Sequence, residues 1–368
     1  MNAVTYISTR GEAPRLSFTE AMLAGLARDG GLYLPLAYPR LSPETIAGFA
    51  GKSYGAVAKA VLTPFIGGDI DEATLEGMIA DAYAGFRHEA IAPLAQLGDN
   101  LFVLELFHGP TLAFKDLAMQ LLARFMDHAL KQRGQHATIV GATSGDTGAA
   151  AIEAFRGLGN IDVVIFYPHG RVSDVQRRQM TSATGDNIHV VALEGTFDDA
   201  QAIVKALFNH AAFRDALGLS GVNSINWARV LAQTVYYFTS AVALGAPGRA
   251  ISYCVPTGNF GDILAGWIAK RIGLPIERLV IATNENDILA RALHSGAYET
   301  RGVTHTQSPS MDIQVSSNFE RLLFEIGGRD AASLRAKMAS LTQSRGFTLD
   351  PATLQALRAE FDAARASE

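Results

Sequence analysis

From Ala137 onward, short apolar runs alternate with polar and amphipathic stretches. The runs "ATIVGA" (137–142), "IDVVIFYP" (161–168), "NIHVVAL" (187–193), "AISYCVPTG" (250–258) and "RLVIATN" (278–284) have the length and β-branched content of strands. Between and after them lie "SGDTGAAAIEAFRGLG" (144–159), "SDVQRRQMTSATG" (173–185), "TFDDAQAIVKALFNHAAF" (196–213), "FGDILAGWIAKRIG" (260–273) and "NDILARALHSG" (286–296), which read as helices. Thr196 or Asp198 is the expected cap of the third helix. Continuous apolar strands that alternate with helices predict βα units and parallel sheets. Residues 1–98 read differently. Stretches such as "SFTEAMLAGLARDGG" and "PETIAGFAGKSYGAVAKAVL" predict a separate, mainly helical N-terminal part. The end, "DPATLQALRAEFDAARASE", reads as an amphipathic helix with no strand after it. There is no internal repeat and no low-complexity segment.

In parallel α/β sheets, ligands bind beyond the carboxyl ends of the strands. Three loops are candidates. "GATSGDTGAA" (141–150) offers the hydroxyls of Thr143, Ser144 and Thr147 beside backbone N–H groups at a helix start, which suits a carboxylate or phosphate. Asp146 does not belong in a bare anion cradle, so it either faces a donor or caps the helix. "PTGNFGDI" (256–263) places Gly258 and Gly261 where successive N–H groups can converge on one anion, although it is no Walker loop. An ordinary strand-to-helix connection would look the same. "NSINWARVLAQ" (223–233) gathers Ser224, Asn226 and Arg229 before an apolar helix. Arg229 could bind a phosphate with two parallel hydrogen bonds, or it could be a solvated arginine next to capping residues.

Lys115 stands in "FHGPTLAFKDLAM", where a helix is expected to begin. The helix dipole is unfavourable to a cation there and depresses its pKa. A partly desolvated neutral lysine is the nucleophile that carbonyl and pyridoxal chemistry needs, and a lysine lying along the surface is the plain alternative. The bulk numbers narrow the field. The 368 residues are 48% hydrophobic and 18% charged, with net charge −5, which suits an ordinary soluble globular protein and lends no support to nucleic-acid or membrane binding. No apolar run reaches transmembrane length and no signal-peptide pattern opens the chain, so a cytoplasmic protein is expected. The single cysteine, Cys254, is expected to be a buried, inert thiol, and no metal site is expected.

Taken together, "HGPTLAFKD", "ATSGDTGAA", "NSINWARVLAQ", "PTGNFGD" and "ATNENDI", with the openings "YISTRG" and "GLARDGGLYLP", resemble the threonine synthases, in order along nearly the whole chain. The likeness is to the bacterial and fungal branch, whose loop carries Asp in "SGDTG". The resemblance implies an α/β protein of the tryptophan-synthase-β type, the fold type II of pyridoxal-phosphate enzymes. It implies two open parallel-sheet domains behind the N-terminal part (1–98): a large one from 99–134 and 223–368, and a small one from 135–222. It implies pyridoxal 5'-phosphate as cofactor, and the conversion of O-phospho-L-homoserine and water to L-threonine and phosphate. Lys115 would bind the cofactor covalently and carry protons, with Phe114 packed beside it. Gly258, Asn259, Phe260, Gly261 and Asp262 would hold the cofactor, its phosphate on backbone N–H groups. Asp146 would lie near the phenolic oxygen, and Thr143, Ser144 and Thr147 near the substrate carboxylate. Ser224, Asn226 and Arg229 would hold the substrate phosphate.

Members of this branch run beyond position 368. Their later part carries the closing strands of the large sheet and the small hydroxyl residue that meets the pyridine nitrogen. No segment here matches it, so an open sheet edge, weak cofactor binding and little activity are expected of this chain. Two other readings stay open: a phospho-lyase that releases a keto acid, and a phosphate-ligand binder on the same scaffold. The retained Lys115 speaks against the binder. No heptad seam is visible, and a monomer is expected.

Overall fold

The computed structural model describes residues 3–367. All five expected strands form, and they divide between two parallel sheets. The first has the spatial order Ile188–Leu193, Ile161–Pro168, Ala137–Ala142, Leu219–Ser220. The second has the order Phe361–Arg365, Ile276–Thr283, Ile251–Pro256. The three remaining pairs are small and antiparallel: Tyr6–Ser8 with Tyr33–Pro35, Leu94–Gly98 with Leu101–Leu104, and Ala297–Glu299 with Gly346–Thr348. The second of these hairpins straddles position 98.

One helix ties the two sheets together. Lys115–Arg133 buries Leu117, Leu121, Leu122, Phe125 and Met126, and ends at Gly134 in the left-handed conformation after the basic Lys131 and Arg133. It packs on Asp146–Phe155 from the first sheet's layer, and on Trp227–Ala243, which in turn packs on Gly261–Arg271 from the second. Trp227–Ala243 is buried nearly all round and runs through the core, its few polar side chains such as Arg229 and Gln233 buried with the rest.

The N-terminal part holds the short helices Phe18–Ala24 and Pro43–Ala47 and the longer Tyr54–Ile66 and Glu72–Tyr83. The stretch read as one helix across 43–62 is two. The first stops at Gly48, and Ser53 restarts the chain by accepting a hydrogen bond from Ala56 N. The expected helix over 196–213 also divides, into Phe197–Asn209 and Ala211–Ala216. Thr196 is its cap, with Asp199 closing a capping box; the side chain of Asp198 lies outside the described residues.

Two expectations need correction. The chain's last stretch is not helix throughout. Asp350 caps Pro351–Glu360, and then Phe361–Arg365 adds a parallel strand beside Ile276–Thr283, Leu279 opposite Phe361. Phe361 is buried against Phe260 at 5.8 Å between rings, and the Arg278 guanidinium clamps the Asp362 carboxylate at 2.6 and 2.9 Å. This strand is made by its neighbour, and a helical period that runs on into "FDAAR" carries no trace of it. Cys254 is exposed, not buried. Its strand packs on one face only, so Tyr253 and Val255 turn inward while Ser252 and Cys254 turn out.

Gly266 lets Gly261–Arg271 lie directly on Trp227–Ala243. A Cβ there would stand 2.8 and 2.9 Å from the Tyr237 ring and 3.1 Å from Leu279. That ring is tethered by its hydroxyl to the Asp262 carboxylate at 2.8 Å and cannot swing away freely. Helix propensity alone favours alanine over glycine by about 1 kcal/mol. We expect the opposite sign here: Gly266→Ala should destabilise the protein by about 1–3 kcal/mol in urea unfolding, because the clash outweighs propensity.

Candidate active site

The turn before the lysine helix is set by a buried carboxylate. Asp116 accepts hydrogen bonds from Thr111 N at 2.8 Å and Thr111 Oγ1 at 2.7 Å. It sits so close to Gly109 that a Cβ there would lie 2.5 Å from Asp116 Cβ. The bracket draws Leu112 into left-handed backbone, φ 63°, and delivers Lys115 as the first residue of its helix. Lys115 is mostly buried. Its Nζ lies 5.0 Å from the centre of the Phe114 ring and donates to Asp146 Oδ2. Burial pulls the ammonium below the ordinary lysine value. Asp146 works against that shift, and the positive Arg229 adds to it.

Asp146 opens the helix Asp146–Phe155 at the end of Ala137–Ala142. Burial alone would raise its pKa. The contacts with Lys115, with Ser310 Oγ at 2.6 Å and with Thr147 N at 2.7 Å outweigh burial and hold the carboxyl below the usual carboxylate range. Of the two local readings, Asp146 therefore faces donors. The capping role falls to Thr143, whose buried Oγ1 accepts from Gly145 N at 3.0 Å and Gly148 N at 2.9 Å. Thr143 is thus turned into the loop, while Ser144 and Thr147 stay partly exposed around it.

The "NSINWARV" residues separate in the same way. Asn226 is fully engaged: its Oδ1 caps the helix through Ala228 N at 3.0 Å, and its Nδ2 donates to Met22 O at 2.8 Å. Ser224 and Arg229 line one pocket with Lys115 and Phe114. Arg229 is only 4% exposed; its Nη1 donates to Val222 O at 2.8 Å, and its Nε is buried without a partner. Burial pulls this guanidinium down to about 10, against the attraction of Asp146. A buried N–H with nothing to bond is costly, and an anionic ligand would relieve it.

The same pocket is lined by residues 256–263. Phe260 takes left-handed backbone, φ 66°, and the helix that begins at Gly261 has no side-chain cap, which leaves its first N–H groups for an anion. Gly258 and Asn259 lie on this rim. The Asp262 carboxylate instead braces Tyr236 and Tyr237 in the core, where burial raises its pKa.

Sequence reasoning missed the segment that knits these loops together. Asn318 Nδ2 donates to Ser224 O and to Asn259 O, both at 3.1 Å. Arg321, fully buried beside Trp227, donates from Nη2 to Ile225 O at 2.6 Å and from Nε to Tyr33 O at 2.9 Å. Ser310 and Met311 complete the pocket, together with Gln233. A signal was present: "SSNFERLL" repeats the pattern of "NSINWARV", polar residues and an amide ahead of an apolar helix with an arginine three positions on.

A desolvated amine, an uncapped helix start and a buried guanidinium with one unpartnered N–H in one pocket suit an aldehyde that carries a phosphate and a second anion beside it. The fit to pyridoxal phosphate rests on that donor set.

Comparison with known proteins agrees. Residues 5–83 match the family described as threonine synthase N terminus, and residues 87–368 match the pyridoxal-phosphate dependent enzymes. Threonine synthase of Pseudomonas aeruginosa is 51% identical over 363 residues, covering 99% of this chain and 77% of its own length. The crystal structure of PLP-bound threonine synthase from Brucella melitensis is 64% identical, with a TM-score of 0.98 over 99% of this chain and 79% of that one. Yeast threonine synthase is 42% identical, with a TM-score of 0.94 over 99% and 76%. With its lysine, its two anion loops and its fold all in place, this chain belongs to the threonine synthase family of pyridoxal-phosphate enzymes.

Proposed function

We propose that the site converts O-phospho-L-homoserine and water to L-threonine and phosphate, with each anion held on its own wall of the pocket. The observation that carries this reading is Arg229: a buried guanidinium with an unpartnered Nε, in the same pocket as Lys115 and the uncapped helix start. A single phosphate would use one of these places. A cofactor phosphate and a substrate phosphate use both.

Bound here, pyridoxal phosphate supplies the electron sink for negative charge at the α and β carbons of the substrate. The N–H groups around Gly258, Asn259, Phe260 and Gly261 hold its phosphate, and Phe114 shields the lysine flank. Lys115 Nζ, its pKa depressed by burial, would be the amine that holds the cofactor and, when free of it, the base that takes and returns protons at the substrate carbons. Asp146 keeps a proton acceptor next to Nζ. Arg229 and Ser224 bind the phosphate that departs from the γ carbon and stabilise its growing charge. Asn226 contributes by fixing the helix start from which Arg229 projects. Ser144 and Thr147 stand at the helix N-terminus, where a substrate carboxylate is favoured.

The division into an N-terminal part (1–98), a large domain (99–134 and 223–368) and a small one (135–222) belongs to the same proposal, as do a monomeric state and a cytoplasmic setting; the two parallel sheets support the split between the large and small domains, while the hairpin 94–104 crosses the boundary at 98. No helix among the described residues is long and apolar enough to cross a membrane.

Product analysis tests the reaction. Purified protein given O-phospho-L-homoserine and pyridoxal phosphate should release threonine and phosphate in equal amounts; 2-oxobutyrate as the main organic product would replace this reading with a phospho-lyase. Arg229→Gln should lower kcat/KM for the phosphorylated substrate by about 10²–10³-fold, the scale of losing one buried charged donor, while the protein still captures the cofactor. A loss below tenfold would remove Arg229 from the substrate site.

A further inference from the structure

The segment 302–318, between the strand Ala297–Glu299 and the helix Phe319–Ile326, runs over the site as a strap with a built anchor. Asp312 gathers four donors: Asn284 Nδ2 at 2.9 Å, Asn286 Nδ2 at 3.0 Å, Thr306 Oγ1 at 2.6 Å and Thr306 N at 3.0 Å. Asn284 and Asn286 are themselves buried at the end of Ile276–Thr283. A second anchor lies further along, where Ser316 N donates to Tyr298 OH at 2.8 Å and Ser316 Oγ donates to Gly258 O. Between the anchors, Pro309–Met311 makes a single tight turn that carries Ser310 into the pocket. The Ser310 hydroxyl donates to Asp146 Oδ2 at 2.6 Å, the same carboxylate oxygen that Lys115 Nζ approaches.

We propose that Ser310 is a positioning residue for Lys115: by sharing Asp146 Oδ2 it weakens the hold of that carboxylate on the ammonium and so eases the lysine into the neutral form that captures the cofactor. The argument is one of competition. A hydroxyl that donates to a carboxylate oxygen draws off part of its charge, and that charge is then worth less to a second donor on the same atom. The charged groups that face Lys115 are few. Asp146 comes from the helix Asp146–Phe155 and Arg229 from Trp227–Ala243. Asp116, on the lysine's own helix, is turned to Thr111, and Asp262 is taken up by Tyr236 and Tyr237. Ser310 thus acts on the one attractive charged partner that the lysine has among the described residues, from a strap whose position is fixed elsewhere.

The proposal rests on the reading that Lys115 captures the cofactor. The test is the pH dependence of capture, followed by the absorbance change when pyridoxal phosphate is added to cofactor-free protein. Capture needs the neutral amine, so a stronger hold by Asp146 moves the midpoint to higher pH and a weaker hold moves it to lower pH. Ser310→Ala should move it to higher pH and slow capture a few-fold at neutral pH. Ser310→Thr, which keeps the hydroxyl, should leave it in place. Asp146→Asn should move it to lower pH, and the double variant should match Asp146→Asn, since Ser310 works only through that carboxylate. An unmoved or lowered midpoint in Ser310→Ala, or a Ser310 effect that survives in the Asp146→Asn background, overturns the proposal. Failure of the unaltered protein to capture the cofactor at any pH would overturn the underlying reading as well.

Discussion

A lysine and an aspartate meet where the two sheets come together, and the rest of the site is arranged around the problem of keeping them there. Lys115 and Asp146 come from different layers, and both are mostly shielded from water. Desolvating two charges is unfavourable, and their attraction offsets it only when further hydrogen bonds satisfy what the pair leaves over. Asp146 has those bonds, from Thr147 N and Ser310 Oγ. Among the described residues, Lys115 Nζ has the carboxylate and the face of Phe114. The balance leaves an ionised aspartate and a lysine whose proton is held less tightly than usual, which is the state a carbonyl-capturing amine requires.

Such a pair needs rigid supports, and the supports are buried polar groups rather than apolar contacts. Asp116 brackets the approach to the lysine helix, Thr143 ties the aspartate loop, Asn226 caps the helix that carries Arg229, and Asn318 with Arg321 joins the two anion loops. Asp116 and Thr143 close bonds within their own loops, while Asn226, Asn318 and Arg321 also reach backbone carbonyls of other segments, so losing one would leave N–H groups or carbonyls buried without partners. Arg229 departs from this pattern. Its unpartnered Nε marks a place where the protein alone is incomplete.

Much of this was legible in the sequence, and the limits were physical. The five strands were visible because parallel strands packed under helices read as apolar, β-branched runs, and the three loops because they follow strand ends. Phe361–Arg365 was invisible because only its pairing with Ile276–Thr283 makes it a strand. The buried reading of Cys254 failed because an apolar run does not say whether one or both of its faces are covered. Among the site residues, chemical type could be read but direction could not. Asn226, Thr143 and Asp262 carry the right groups, yet the structure spends those groups on caps and braces. Ser310 lay in a segment with no periodicity, and its role depends on Asp312 holding the strap in place.

The central claim is that one buried lysine is the covalent partner of the cofactor. The direct measurement is borohydride reduction of the protein after addition of pyridoxal phosphate, followed by peptide mapping of the label. The account predicts a single modified residue, Lys115, in the peptide that contains "TLAFKDLAM". A label on another lysine, with Lys115 unmodified, would contradict it.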